Sequence, residues 1–271
     1  MMKNYHTVLS IAGSDSIGGA GIQADIKTCC AMGVYAMTAV TAITAQNTLG
    51  VDEVELCRPE MLRAQIRSVV SDVRPDAVKI GMIGNGKAVE IIAEEIRSFG
   101  LTNVVVDPII AATSGDSLSG EGFTKALHDH LAPLATLLTP NLPEAAKLTG
   151  IVADDVDGMR HLASMMSRSF GTSILLKGGH LTGTKELTDV LVTTDGEIRK
   201  FTYPPVNTPN THGTGCSLSS AIAANLAGGL SLSDAIAEAE EWLHKAIEAG
   251  ADYAIGSGHG PINHLFNILK S

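Results

Sequence analysis

Thr7-Val8-Leu9-Ser10-Ile11-Ala12, then Gly18-Gly19-Ala20-Gly21-Ile22-Gln23-Ala24, then Thr38-Ala39-Val40-Thr41-Ala42-Ile43-Thr44-Ala45 stand in that order near the start of the chain. The first and third are short runs rich in apolar and β-branched residues. Between them, residues 21–32 carry apolar side chains at roughly i, i+3 and i+4 spacing, so the unit reads strand, glycine turn, helix, strand. The alternation continues downstream, with strand-like runs at 77–80, 103–106, 135–138, 173–176 and 190–193 and helical patterns at 60–71, 87–98, 123–131 and 157–169. Strands separated by helices pair in parallel, and right-handed crossovers then cover both faces of the sheet. After Val190 the pattern changes. Residues 188–203 read as a hairpin around Thr194-Asp195-Gly196, and two long helices, 216–227 and 231–249, complete the chain. No repeat, low-complexity tract or linker divides the 271 residues, which predicts one domain over 1–271.

Hydrophobic residues make up 45% and aromatics only 4%, so the core is aliphatic, as in helix-on-sheet layering. Nineteen basic residues against twenty-nine acidic give a net charge of −10, which argues against a nucleic-acid binder. An anionic ligand would then need local positive potential, from a few lysines and from helix N-termini. The cysteines, Cys29, Cys30, Cys57 and Cys216, form no C-x-x-C pair, so neither a disulfide framework nor a zinc site is expected. The N-terminus lacks a signal-peptide pattern and apolar stretches fall short of the ~18–20 residues a bilayer requires. These features predict a cytoplasmic protein with reduced thiols, and no membrane partner.

Two glycine clusters carry the chemical signal. The first contains G-x-G-x-x-A, but a dinucleotide site also wants an acidic residue about 20 positions on, at the end of the second strand. That strand ends Ala45-Gln46-Asn47, so the glycines instead suit a tight turn and close approach of a small ligand, with Asp15 and Asp25 as polar anchors. A helix-packing turn is the simpler alternative. The second cluster is Asn210-Thr211-His212-Gly213-Thr214-Gly215-Cys216, leading into a helix. Its glycines let successive N–H groups face one concavity at the positive end of a helix, an anion hole made without lysines. A thiol there should ionise below its usual ~8.5, making Cys216 a candidate base or nucleophile. The alternative is a buried structural cysteine. His212 and Cys216 as a thiol/imidazole dyad would make a cysteine hydrolase.

P-loop and protein-kinase signatures are absent, and Gly256-Ser257-Gly258-His259-Gly260 lacks the nucleophile-elbow pattern. His128-Asp129-His130 reads as a solvated helical face. Asp107 ends the run Val104-Val105-Val106, where a carboxylate could position Mg²⁺ or cap a loop. Asn141 and Glu144, in Thr139-Pro140-Asn141-Leu142-Pro143-Glu144, start a helix, where N-capping alone would explain both. Lys177, at a strand end before Gly178-Gly179-His180, is the clear cationic candidate for a phosphate, or a snorkelling edge residue. Residues 111–122 are a Gly/Ser loop placed to act as a lid, or a plain surface connection.

Taken together, Ala12-Gly13-Ser14-Asp15, the first glycine cluster with Asp25, Ala45-Gln46-Asn47-Thr48, Lys79-Ile80-Gly81-Met82, the segments 139–144 and 177–180, and Thr211-His212-Gly213-Thr214-Gly215-Cys216 resemble the ribokinase superfamily. Within it the chain looks like the hydroxymethylpyrimidine/phosphomethylpyrimidine kinases of thiamine biosynthesis, from about Thr7 to about His264. The resemblance implies a ribokinase-like three-layer α/β/α sandwich with a mostly parallel central sheet. It implies transfer of the ATP γ-phosphoryl to 4-amino-5-hydroxymethyl-2-methylpyrimidine and then to its monophosphate, with Gly213, Thr214 and Gly215 as the anion hole and Cys216 as base. Gly13, Asp25, Gln46 and Met82 would surround the pyrimidine, Asn141, Lys177 and Thr211 would contact ATP, and Asp107 and Glu144 would organise Mg²⁺. Relatives also suggest a homodimer. A pyridoxal or pyridoxine kinase shares the fold; such relatives often differ at Gln46-Asn47 and carry a lid cysteine near Ala111-Ala112, which this chain lacks. A non-catalytic small-molecule-binding protein is the alternative from another class, against which stand Cys216, Lys177 and Asp107.

Overall fold

In strand β1, Thr7–Ser14, side chains alternate between two apolar layers: Leu9 and Ile11 join one core cluster, Val8 the other. A strand buried on both faces in this way belongs in the middle of a covered sheet. The computed structural model describes residues 4–110, 119–181 and 185–268. After β1 come α1 (Gly21–Ala31), β2 (Tyr35–Gln46), β3 (Val51–Leu56), α2 (Pro59–Val70), β4 (Ala77–Ile80), α3 (Gly86–Phe99) and β5 (Val104–Val106). There follow α4 (Phe123–Ala126), β6 (Leu137–Leu138), α5 (Leu142–Thr149), α6 (Val156–Phe170), β7 (Ser173–Leu176), β8 (Leu187–Val192), β9 (Ile198–Tyr203), α7 (Thr214–Ala227) and α8 (Leu232–Gly250).

The strands form one nine-stranded sheet in the order β3-β2-β1-β4-β5-β6-β7-β8-β9. From β2 through β7 neighbouring strands pair in parallel, whereas β3, β8 and β9 each add antiparallel. One face packs against α2, α3, α4, α5 and α6, through residues such as Ile66, Ile92, Phe123, Ala145 and Leu162. The other face packs against α1, α7 and α8, through Cys29, Ile222 and Ile236. This is the expected three-layer α/β/α sandwich with a mostly parallel sheet.

Three elements depart from the sequence expectation. Strand β3 carries no apolar run because it is an exposed edge paired only with β2, and Asp52, Glu53 and Glu55 give it a solvated surface. The pattern expected over 123–131 starts as α4 but widens at Leu127–Leu131 into a π-helical turn. The strand expected over 135–138 shortens to Leu137–Leu138, since a 3₁₀ turn over Ala132–Leu134 precedes it. The hairpin is present as β8 and β9. Of the expected lid, residues 111–118 lie outside the described residues; at its far end Gly120 N–H donates to Gly84 O and Gly122 precedes α4.

Parallel pairing aligns the C-terminal ends of β1, β2, β4, β5, β6 and β7 along one rim, followed respectively by Ser14, Gln46, Gly81, Asp107, Thr139 and Lys177 or ending on them. Helices α1 and α7 both begin at that rim.

Candidate functional site

The glycine turn before α7 decides how closely the two clusters approach. Gly213 has φ +82°, and a Cβ there would lie 1.9 Å from Gly19 O, so the two turns touch only because both are glycine. Gly213 caps α7, which begins at Thr214. The N–H groups of Gly215 and Cys216 therefore lie in a first helical turn that has no intrahelical acceptors to offer them. Thr214 N–H turns back to Thr211 O at 3.3 Å, and Thr211 itself is exposed.

Two expected residues, Lys177 and Asp107, converge on this turn. A Cβ on Gly215 would stand 3.2 Å from Lys177 Nζ and 3.3 Å from Asp107 Oδ2, so a glycine here leaves room beside both charges. Lys177 donates to Asp107 Oδ1 at 2.9 Å, and Thr139 Oγ1 donates to the same oxygen at 3.1 Å. Asn141 and Glu144 form a reciprocal capping box at the start of α5: Asn141 N–H donates to Glu144 Oε2 and Glu144 N–H to Asn141 Oδ1, each at 2.8 Å. The capping role weighed from sequence is thus filled. Burial also pushes the Glu144 carboxyl up to about 7, against the pull of the Lys177 ammonium and with Asp107 adding to the rise. Backbone pairing of Asn141 with Lys177 brings the ends of β6 and β7 together.

The other end of the rim holds the expected substrate residues. Met82 is buried, its Sδ only 3.0 Å from where a Cβ on Gly13 would lie, and Thr41 Oγ1 donates to Met82 O. Gln46 is half-buried at the end of β2, with Thr44 Oγ1 donating to its Oε1 at 3.2 Å.

Asp25, expected as a polar anchor, is held by partners of the protein's own. It lies on α1 with no solvent exposure, and its carboxylate accepts from Lys79 Nζ at 2.8 and 2.9 Å, Ser10 Oγ at 2.6 Å and Ser220 Oγ at 2.7 Å. Those donors come from β1, β4 and α7 and enclose the carboxylate between the sheet and the helices above it, so its hydrogen-bonding oxygens are engaged within the protein. Its partner was missed: Lys79, also fully buried, is a second cation besides Lys177. The signal was a lysine inside the otherwise apolar run Ala77-Val78-Lys79-Ile80.

Cys216 also differs from expectation. Burial pushes its thiol up to about 11; the Lys79 ammonium and a hydrogen bond from Gly21 N–H oppose this, and the carboxylates of Asp25 and Asp107 reinforce it. Desolvation of the thiolate outweighs the helix terminus. The thiol/imidazole dyad is not formed either: among the described residues no hydrogen bond joins His212 to Cys216, and the His212 Nε2 lies 2.9 Å from Asp15 Oδ2 instead. The segment 256–260 is structural, with Gly258 and His259 N–H groups donating to Thr48. His128 contacts Asp129 and the Phe170 ring edge, and among the described residues no three His, Cys, Asp or Glu side chains gather as a metal cage.

A family model described as phosphomethylpyrimidine kinase matches residues 15–263. A hydroxymethylpyrimidine/phosphomethylpyrimidine kinase of Rhizobium meliloti is 48% identical over 263 residues, covering 97% of this chain and 98% of that protein. The solved phosphomethylpyrimidine kinase of Clostridium difficile 630 superposes with a TM-score of 0.78 at 39% identity, covering 89% of this chain and 99% of its own. The solved ADP complex of Bacillus subtilis pyridoxal kinase superposes with a TM-score of 0.86 at 35% identity, covering 97% and 98%.

Proposed function

This chain belongs to the phosphomethylpyrimidine kinase family, and on that footing we propose how its residues divide the work. The reaction is ATP-dependent phosphorylation of hydroxymethylpyrimidine, and then of its monophosphate, in thiamine biosynthesis. The observation that carries the assignment of roles is the meeting of Gly215, Lys177 and Asp107 at the start of α7, a cation and a glycine turn at the phosphate end of the rim. Gly13, Met82 and Gln46 hold the pyrimidine at the other end. The Gln46 amide can donate and accept at once, which suits an aminopyrimidine edge.

In the first transfer the substrate hydroxymethyl oxygen forms a bond to the γ-phosphorus as the bond to the β,γ-bridging oxygen breaks. Cys216, in its thiolate form, takes the hydroxyl proton on Sγ and becomes the thiol, and the N–H groups of Gly213, Gly215 and Cys216, with that of Thr214 turning from Thr211 O, receive the charge on the transferring oxygens. Lys177, Asn141 and Thr211 orient the nucleotide phosphates. Asp107 and Glu144 offer hard carboxylate oxygens that would suit Mg²⁺, an ion that one or two carboxylates together with substrate phosphates can hold, so no third protein carboxylate is needed. When bound, the ion would neutralise phosphate charge. The chain acts as one domain over 1–271, as a homodimer in the cytoplasm; among the described residues no helix is long and apolar enough to cross a membrane.

Gln46→Ala tests the substrate end. The KM for hydroxymethylpyrimidine should rise, with the KM for ATP within about twofold of normal; equal changes in both would remove Gln46 from the pyrimidine site.

A further inference from the structure

Asp15 and His212 are 197 residues apart, yet both are buried and their side chains meet at 2.9 Å. Each belongs to one of the two turns. Asp15 also accepts from Ile17 N–H at 3.1 Å and Ala20 N–H at 2.7 Å, which folds residues 15–20 into the loop entering α1. Its own N–H donates to Gln23 Oε1, and the same Gln23 amide donates to Ser14 Oγ, so the base of the loop is held on both sides. His212 immediately precedes Gly213. Its N–H donates to Gly260 O, and its ring lies flush on Gly19, where a Cβ would come within 2.4 Å of His212 Cδ2.

We propose that Asp15 and His212 form a latch that fixes the anion-hole turn against the substrate-side turn, and so sets the distance between phosphate and pyrimidine. Neither residue is catalytic; both are positioning residues acting through the N–H groups of 213–216. The latch rests on the kinase assignment above for its consequence, though not for its existence. The physical reason is that phosphoryl transfer depends on alignment: a misplacement of about 1 Å in the reacting groups costs roughly 10²-fold in rate. Gly213 and Gly19, having no side chains, supply contact without side-chain anchoring, so apart from the hydrogen bond from Gly21 N–H to the Cys216 thiol the turns would meet through backbone contacts that glycine leaves free to slide. A carboxylate with three donors is a rigid pivot, and the imidazole is the single one of the three that comes from the other turn.

The test compares His212→Ala, His212→Gln, Asp15→Asn and the double variant Asp15→Asn/His212→Ala. Amide hydrogen exchange at residues 213–216 and steady-state kinetics are measured well below each variant's unfolding temperature. Exchange at 213–216 should accelerate at least tenfold in His212→Ala. Exchange should stay near wild type in His212→Gln, whose amide donates to Asp15 from a similar reach. In kinetics, His212→Ala should lower kcat by 10- to 100-fold with a smaller change in either KM, and the double variant should be no worse than the worse single one. Unchanged exchange in His212→Ala, or single effects on kcat that multiply fully in the double variant, would overturn the latch. A lowered unfolding temperature with normal kcat and normal exchange would also overturn it, leaving a purely structural contact. Absence of pyrimidine phosphorylation in the wild type would sink the kinase assignment instead, and the exchange data would still decide the latch.

Discussion

Cys216 shows how one residue's surroundings can reverse an inference from its position. A thiol in the first turn of a helix should ionise early, yet this one is buried beside Asp25 and Asp107 and its ionisation lies near 11. The thiolate is then scarce at neutral pH and grows about tenfold per pH unit below that value. If Cys216 accepts the hydroxyl proton, kcat/KM for the pyrimidine should climb from pH 7 to pH 9.5 without a plateau, and Cys216→Ala should remove both the slope and most of kcat while pyrimidine binding persists. A flat profile, or near-normal turnover by the alanine variant, would exclude that role. Lys79 raises the complementary point. It is paired with Asp25 out of contact with water, so Lys79→Met strands a buried carboxylate, and such loss of one partner costs about 3–5 kcal/mol. Urea unfolding should show it; a change below about 1 kcal/mol would mean that the pair is already compensated. Neither environment is written in local sequence. Asp25 is legible as a polar residue on α1, but its partners come from β1, β4 and α7, brought together only by the sheet.

At the scale of elements, most of the architecture was legible because buried parallel strands and their crossover helices carry strong patterns. The runs at 7–12, 77–80 and 173–176 lie within strands, the helices over 86–99 and 156–170 extend those read from periodicity by one residue at each end, and the helix over 21–31 stops one residue short of the reading. What escaped was weakly patterned. Edge strand β3 gains its order from pairing with β2, and the π-helical turn after α4 answers to packing at Leu127 and Leu131. In the site, the capping box, the lysine beside the glycine turn and the two glycine clusters were all readable. The contact between the clusters was not, since Gly19 and Gly213 are 194 positions apart in the chain. That contact makes Gly213→Ala a sharp probe of the element. The added Cβ meets Gly19 O at 1.9 Å in a left-handed backbone, so the start of α7 must shift. The expected result is a kcat loss of roughly 10²-fold, larger than the accompanying fall in stability of about 1–2 kcal/mol would explain at assay temperature. Wild-type turnover in this variant would show that the turn tolerates displacement.

For the whole molecule, the acidic balance and the anionic substrates are reconciled by arrangement. A net charge of −10 leaves no general attraction for phosphate. The sheet instead collects Lys177 and the start of α7 on one rim, sets Lys79 beneath it, and pairs Asp107 with Lys177 and Asp25 with Lys79. The same rim carries Gly13, Met82 and Gln46 at a neighbouring position, so a small ring and a nucleotide can lie side by side along the strand ends, as open α/β sheets favour. Solved relatives include both a phosphomethylpyrimidine kinase and a pyridoxal kinase, so the fold alone does not choose between these alcohols; the residues at the pyrimidine end must. The most direct measurement is ATP consumption by the purified protein with hydroxymethylpyrimidine, its monophosphate or pyridoxal as acceptor. The assigned site predicts turnover of both pyrimidines with kcat/KM at least tenfold above that for pyridoxal; a preference for pyridoxal, or no turnover of either pyrimidine, would contradict it.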